Sequence, residues 1–142
     1  MDGIYPLKTA FVDTSAFYAF LDGADRFHPK AKELLLQAER ERWHLFTTSS
    51  VVHGTWALTQ ARLGWDAVED WLGSLLPLCE VVWVDKRLYE LGAARARQAR
   101  ERKLSLTDCI SFEAMVSRDC REAVADDADF TKAGFELCKP AS

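Results

Sequence analysis

The sequence lacks several features that define common classes of protein. No apolar run approaches the ~18 residues that a membrane-spanning helix needs. The amino-terminal segment MDGIYPLKTA lacks the three parts of a signal peptide, which are a positively charged region, an apolar region and a cleavage site of small residues. We therefore expect a cytoplasmic protein without membrane association. All seven glycines are isolated, which excludes a dinucleotide fingerprint and a phosphate-binding P-loop. No G-x-S-x-G elbow presents a nucleophilic serine.

Cysteine and histidine are also sparse. The four cysteines are too few and too scattered for a disulfide scaffold, and none stands two positions from another as in a zinc knuckle. We expect them to be reduced and mostly buried. The three histidines show no metal-ligand spacing. These residues are Cys79, Cys109, Cys120 and Cys138, and His28, His44 and His53.

The remaining composition is that of a folded domain with an uneven charge distribution. Hydrophobic residues make up 49% of the 142 residues, which fits one domain over residues 1–142. The net charge is −4, yet the segment 86–103 alone carries +5, so the rest carries −9. Such a chain could bind an anionic polymer on one surface and a cation elsewhere. A solvated helix whose charges only maintain solubility explains the pattern equally well.

Strand-like and helical patterns alternate along the whole chain. This alternation predicts an α/β fold, with a mainly parallel sheet covered by helices on both faces. Ser49 or Ser50 is expected to cap the third helix, and Gly64 to end it. The predicted strands are KTAFVDT, HLFTT, CEVVWVD and EAVAD, before a short tail, FELCK. The predicted helices are SAFYAFLD, HPKAKELLLQAERER, SSVVHGTWALTQARL, WDAVEDWLGSLL, the basic segment ending near Lys103, and LSLTDCISFEAMVSRD.

Aspartates stand where predicted strands end. Asp13 ends the first strand, Asp126 and Asp127 end EAVAD, and Asp108 opens a helix. The carboxyl ends of parallel strands meet at one edge, so these side chains can converge. Their mutual repulsion would be relieved by a divalent cation, and oxygen ligands favour Mg²⁺ or Mn²⁺ over zinc. Taken singly, Asp108 could be an ordinary helix-start residue and Asp127 a turn residue.

Four segments carry a resemblance to a known family. AFVDTSAFYAFLD, TTSSVVHGTWAL, LSLTDCISFEAM and AVADDADFTKAGFE resemble, in order, the signature blocks of PIN-domain ribonucleases, in particular the VapC-type toxins of bacterial toxin–antitoxin pairs. The resemblance implies a three-layer α/β/α sandwich, often homodimeric. It also implies a Mg²⁺ or Mn²⁺ centre that hydrolyses RNA, and an antitoxin that lays an apolar helix or arm over the early helices.

The resemblance assigns roles to individual residues. The acidic positions of the first, third and fourth blocks fall on Asp13, Asp108 and Asp127, with Ser15 and Thr107 as supporting hydroxyls. We expect Asp13 and Asp108 to bind the cation directly, and Asp127 directly or through water. The second block departs from the family, because Gly54 stands where the family normally has glutamate.

The expected function is that of a metal-dependent endoribonuclease, the toxin of a type II toxin–antitoxin pair, whose activity is weakened by the loss of the acidic ligand at Gly54. Two alternatives stay open. One is a degenerate PIN domain that binds RNA or a protein without efficient cleavage, and the other is a different cation-dependent α/β hydrolase. Trp56 and Trp65 are expected to line a dimer or antitoxin contact. The residues expected to guide the RNA backbone are Arg95, Arg97, Arg100, Arg102 and Lys103.

Overall fold

A five-stranded, wholly parallel sheet organises residues 8–141, which are the residues that the computed structural model describes. The strands are β1 (Thr9–Val12), β2 (His44–Thr48), β3 (Cys79–Val82), β4 (Glu122–Val124) and β5 (Glu136–Leu137). The α-helices are α1 (Thr14–Leu21), α2 (His28–Arg40), α3 (Ser49–Arg62), α4 (Trp65–Asp70), α5 (Lys86–Ala99), α6 (Leu106–Ser117) and α7 (Ala128–Lys132). The α/β class and the parallel sheet are therefore as predicted.

The strand order determines where a ligand site can form. The order across the sheet is β3-β2-β1-β4-β5, so the chain winds outward from β1 in one direction and then returns to the other side of β1. Right-handed crossovers in opposite directions put their helices on opposite faces of the sheet. The direction of winding reverses between β1 and β4. Just after β1, the backbone N–H of Asp13 donates to the carbonyl of Val124 in β4 at 3.1 Å, which joins the two strands. Ligands bind at such a switch point, at the carboxyl ends of the strands.

Helix α2 illustrates how the apolar pattern of the sequence produces the core. Its first turn contains Pro29, whose fixed φ suits a helix start. Four of its five apolar residues are buried, whereas Leu36 is 41% exposed; the buried four are Ala31, Leu34, Leu35 and Ala38. Trp71 is also fully buried, against Phe17 of α1.

Two predicted boundaries are wrong at the ends of helices. Thr48, rather than Ser49 or Ser50, caps α3, because its hydroxyl accepts from the Val51 N–H while Ser49 already has helical geometry. The basic helix α5 ends at Ala99, since Arg100 adopts a left-handed conformation with φ 52°. The basic residues from position 100 to 103 therefore lie in a loop. Gly64 follows α3 with φ 92°, in agreement with the prediction that it ends this helix.

Three further segments differ from expectation in detail. The helix predicted for WDAVEDWLGSLL continues beyond α4 as a π turn (Trp71–Leu75) and a 3-10 turn (Leu76–Leu78) that contains Pro77. Strand β3, which lies at the edge of the sheet, ends before Trp83, and Trp83 is 70% exposed. The tail FELCK contributes β5, which pairs in parallel with β4.

The four cysteines are free, and all except Cys79 are buried, in agreement with the expectation of unpaired thiols. Within residues 8–141, no helix combines the length and apolarity needed to cross a membrane.

The contact between α5 and α6 requires a glycine. A Cβ added at Gly92 would lie 2.5 Å from Ile110 Cγ1 and 3.0 Å from Ile110 Cα, the second of which is backbone that cannot rotate away. We predict that Gly92→Ala lowers the free energy of unfolding by about 1–3 kcal/mol, the usual cost of overpacking. Urea unfolding measures this. Gly73→Ala is the matched control, because nothing lies within 4 Å of its added Cβ, and an equal loss in both variants would contradict the close approach.

Candidate active site

Asp13 occupies the switch point of the sheet. It follows β1 directly, caps α1, and is only 6% exposed. Its Oδ2 accepts from the Ser15 hydroxyl at 2.7 Å and from the Ser15 backbone N–H at 3.3 Å. The Ser15 hydroxyl in turn accepts from the Asp126 N–H at 2.9 Å, so one side chain links the loops that follow β1 and β4. The supporting role of Ser15 stays a prediction, and these two hydrogen bonds are the contacts on which it would depend.

Three further carboxylates converge beside Asp13. Asp108 lies in the first turn of α6, and its N–H donates to Ser105, which caps that helix. Asp127 caps α7 by accepting from the Asp129 N–H at 2.8 Å. One carboxylate oxygen from each of Asp108, Asp127 and Asp129 lies within 4.8 Å of the other two. Two helix starts therefore bring three negative charges into one small volume.

Sequence reasoning missed Asp129, although its spacing from Asp127 was visible. Residues two apart point in different directions on a helix, but Asp127 is the extended cap of α7 and Asp129 is in its first turn. That change of backbone conformation lets both face Asp108. Asp13 is outside the group of three, although it is close enough to influence the pKa of Asp108. The Thr107 carbonyl accepts from the Ser111 hydroxyl at 2.8 Å, and a supporting role for the Thr107 side chain stays a prediction.

An aromatic cluster lies beneath the carboxylates and connects the elements that carry them. Phe11 of β1 lies 6.2 Å from Phe130 of α7, measured between ring centroids. Phe130 lies 5.0 Å edge-on from Phe112 of α6. All three rings are buried, and each stands within four residues of an acidic residue of the site. The positions of the carboxylates are therefore coupled to the packing of the core.

Burial and mutual repulsion raise the pKa values of three carboxyl groups of the site, those of Asp13, Asp108 and Asp127. Burial raises the pKa of Asp108 to about 7, with further contributions from the negative charges of Asp13 and Asp127. Burial also raises the pKa of Asp13, against the opposing effect of its hydrogen bonds from Ser15. The pKa of Asp127 rises as well, first through burial and then through the charges of Asp129 and Asp126. Perturbed carboxyl groups of this kind concentrate at functional sites.

The donor set fits a hard divalent cation. All three converging groups are carboxylates, which Mg²⁺ and Mn²⁺ prefer. Burial raises the pKa values of Asp108 and Asp127, and neighbouring carboxylates raise them further, so negative charge at these two positions is costly when no cation is bound. A cation would relieve that repulsion, and Asp108, Asp127 and Asp129 could hold it.

Gly54 leaves an open position near Asp13. It lies in the second turn of α3, and a Cβ added there would meet only the Thr14 hydroxyl, at 3.8 Å. Thr14 follows Asp13 directly, and its hydroxyl accepts from the Thr55 hydroxyl at 3.1 Å. A side chain at position 54 would thus begin in ordinary van der Waals contact beside the first acidic loop.

The basic residues expected to guide RNA differ in their environments. Arg97, Arg100, Arg102 and Lys103 are exposed at the end of α5 and in the loop that leads to α6. Arg95 is half-buried, where its Nε donates to Glu113 Oε2 at 2.6 Å. Contact with an RNA backbone is therefore open to the exposed four, whereas Arg95 is held by α6.

The molecule is thus an α/β protein with a cluster of carboxylates beside the carboxyl ends of its parallel strands. The sequence matches the PIN domain over residues 10–136. The chain belongs to the PIN domain family.

Individual relatives agree with this assignment. The 23S rRNA-specific endonuclease VapC20 of Mycobacterium tuberculosis is 31% identical over 133 residues, which cover 92% of this chain and 98% of that protein. The crystal structure of VapC20, described as a Sarcin-Ricin loop cleaving toxin, superposes with a TM-score of 0.81 and 29% identity, covering 92% of this chain and 99% of that one. VapBC2 from Rickettsia felis, bound to a DNA fragment from its promoter, shares the fold at a TM-score of 0.68 and 10% identity, over 92% of this chain and 97% of that one.

The raised pKa of Asp108 predicts a characteristic pH dependence of stability. Its folded value, about 7, lies above the ordinary 3.8, so the folded protein retains a proton that the unfolded chain releases. The stability that this proton provides is present at low pH and is lost as the pH rises towards 7. In EDTA, we expect the melting temperature to fall as the pH rises from about 4 to about 7, and to change little through this group above that pH.

Two variants test this pH dependence, and each replaces an aspartate in the first turn of a helix. Asp108→Asn removes the titrating group, so its melting temperature should depend less on pH. Asp66→Asn, at an exposed position in α4, should retain the wild-type slope. Thermal unfolding of the three proteins measures the effect, and identical slopes would disprove the assignment to Asp108.

Proposed function

We propose that this protein is a metal-dependent endoribonuclease that acts as the toxin of a toxin–antitoxin pair. The observation that carries the proposal is the convergence of three carboxylates within 4.8 Å at the edge of a PIN-domain sheet. The similarity to VapC20, a 23S rRNA-specific endonuclease, supports RNA as the substrate. We expect residues 1–142 to act as one domain in the cytoplasm.

The proposed division of labour follows from the positions of the side chains. Asp108, Asp127 and Asp129 would hold Mg²⁺ or Mn²⁺, and Asp13 would add negative charge from its fixed, buried position. When bound, such a cation polarises a phosphate oxygen and favours deprotonation of an attacking water. Ser15 fixes the Asp13 carboxylate by donating its hydroxyl hydrogen, which orients that group before substrate arrives. The reaction class is hydrolysis of an RNA phosphodiester.

The RNA backbone would approach along the exposed basic residues. The loop that contains Arg100, Arg102 and Lys103 leads directly into α6, whose first turn carries Asp108. Positive charge thus lies a few residues from the acidic cluster, without neutralising it. Binding that depends on such phosphate contacts weakens steeply as salt is added.

Replacing the acidic groups tests the proposal directly. Asp13→Asn and Asp108→Asn should each abolish magnesium-dependent cleavage of RNA, because a neutral amide of similar shape cannot supply the negative charge. Asn also caps helices well, so Asp13→Asn should keep α1 folded. The measurement is cleavage of total RNA and of 23S rRNA with Mg²⁺, Mn²⁺ or EDTA.

Asp66→Asn serves again as the control, because it removes one carboxylate from a first helical turn that is exposed. Its cleavage rate should equal that of the wild-type protein, and circular dichroism should show all four proteins folded. Undiminished cleavage by Asp13→Asn or Asp108→Asn would refute the proposed roles.

A second candidate function is binding of RNA or a protein without efficient cleavage. Gly54 favours it, because this position lacks the glutamate that the PIN-domain resemblance implies. We expect Gly54→Glu to increase the cleavage rate if the wild-type protein is an enzyme with a weakened site. The added Cβ has room beside Thr14, so the variant should fold.

Two controls separate charge from helix stability. Gly54→Ala should stabilise α3 by roughly 0.5–1 kcal/mol without raising activity, since alanine favours a helix over glycine. Gly54→Gln matches the size of glutamate without its charge. A rate increase confined to Gly54→Glu supports the weakened enzyme, whereas no increase means that the side chain is not the missing element.

An antitoxin and a second copy of the chain complete the proposed partners. Trp56 of α3 and Trp65 of α4 pack edge-on with ring centroids 6.0 Å apart, and Trp65 is 56% exposed. A shallow cavity of about 460 Å³ borders Trp56, Ala57 and Ala61. Exposed aromatic groups beside a concave apolar surface suit an apolar segment of an antitoxin. The homodimer rests on the family resemblance alone.

A further inference from the structure

A small cavity lies between α5, α6 and α7, next to the acidic cluster. Its volume is about 160 Å³, and it is called the α5–α7 cavity below. Charged side chains at its wall are Arg95, Glu101, Asp129 and Lys132, and Phe112 contributes apolar surface. Drug-sized ligands occupy pockets of about 300 Å³ or more. The α5–α7 cavity therefore suits one planar ring system rather than a larger molecule.

Asp129 belongs both to this cavity and to the carboxylate cluster. Any group in the cavity is consequently a near neighbour of the phosphodiester on which the cluster would act. In an RNA chain, the neighbour of a phosphate is a nucleoside. The position of the cavity thus points to a base that flanks the cleaved bond.

The wall of the cavity offers both kinds of hydrogen-bonding group. Arg95 and Lys132 supply donors, while Glu101 supplies an acceptor. A purely basic cavity would suit phosphate, and a purely acidic one a cation. Their combination suits a base that carries acceptors on one edge and donors on another.

Arg95 is fixed in its place at the wall. Its Nε donates to Glu113, and its guanidinium carbon lies 5.5 Å from the centre of the Phe112 ring. Within residues 8–141, the structure gives Arg95 no other hydrogen bond. Its two terminal nitrogens therefore remain for a ligand, on a side chain that loses little freedom when it binds.

We propose that the α5–α7 cavity binds a guanine base next to the cleaved phosphate and sets the sequence preference of the enzyme. This inference rests on the proposed ribonuclease function. Guanine presents two acceptors, O6 and N7, which suit Arg95 and Lys132. It presents two donors, N1–H and the N2 amine, which suit Glu101. Adenine and the pyrimidines match fewer of these groups.

Stem–loop RNAs test the proposal atom by atom. The loop consists of uridines with one guanosine, which is replaced in turn by adenosine, cytidine, uridine, inosine or 7-deazaguanosine. We expect cleavage beside the guanosine, and a rate roughly ten- to a hundredfold lower with the other natural bases. Inosine lacks the N2 amine, and 7-deazaguanosine lacks the N7 acceptor.

Two exposed side chains of the cavity provide the matching variants. Glu101→Ala removes the acceptor and should no longer distinguish guanosine from inosine, and Lys132→Ala should no longer distinguish guanosine from 7-deazaguanosine. Arg95 stays unchanged, because it also contacts Glu113 and Phe112. Charge-matched controls outside the cavity are Glu90→Ala, which should behave as wild type, and Lys103→Ala, which should slow all RNAs alike.

A binding measurement keeps this inference separate from the proposed function. Fluorescence anisotropy in EDTA compares the affinities for the guanosine and inosine RNAs without cleavage. A preference for guanosine that Glu101→Ala removes supports the cavity even if no RNA is cut, in which case only the ribonuclease proposal fails. Equal cleavage and equal binding of all the RNAs overturn the inference, as does a guanosine preference that both cavity variants retain.

Discussion

Repulsion among carboxylates at one edge of the sheet is the constraint on which this site depends. Asp13 is almost fully buried, and Asp108, Asp127 and Asp129 crowd beside it. Burial disfavours the charged forms of Asp13, Asp108 and Asp127, and the neighbouring negative charges add to that cost. The raised pKa of Asp108, about 7, is the visible consequence. A fold that keeps these groups together must compensate through interactions made elsewhere.

The compensation comes from packing and from donors at the helix starts. Phe11, Phe112 and Phe130 pack in a chain that joins β1, α6 and α7, so the acidic groups cannot separate without disturbing buried aromatic contacts. Asp13 and Asp127 accept hydrogen bonds within the first turns of their helices. Helix N-termini also favour negative charge. The same elements that build the core therefore hold the site against its own repulsion.

The sequence predicted this arrangement to the extent that local patterns determine it. Asp13 at a strand end and the alternation of strands and helices were both predictable from the pattern of apolar residues. The cap of α3 was not, since Thr48, Ser49 and Ser50 all can cap, and only the end of β2 selects Thr48. Asp129 was missed because its orientation depends on the extended conformation of Asp127. Such choices depend on tertiary structure.

Gly54 changes the balance of charge as well as the number of side chains that could bind a cation. A glutamate beside Thr14 would bring a further negative charge towards Asp13, and would thereby raise the pKa values of the acidic groups. Without it, the site needs less compensation when no cation is bound. The same absence lowers the electrostatic attraction for a cation, because fewer negative charges face it. A site with glycine here should thus be more stable without the cation and should bind it more weakly, and both effects have one cause.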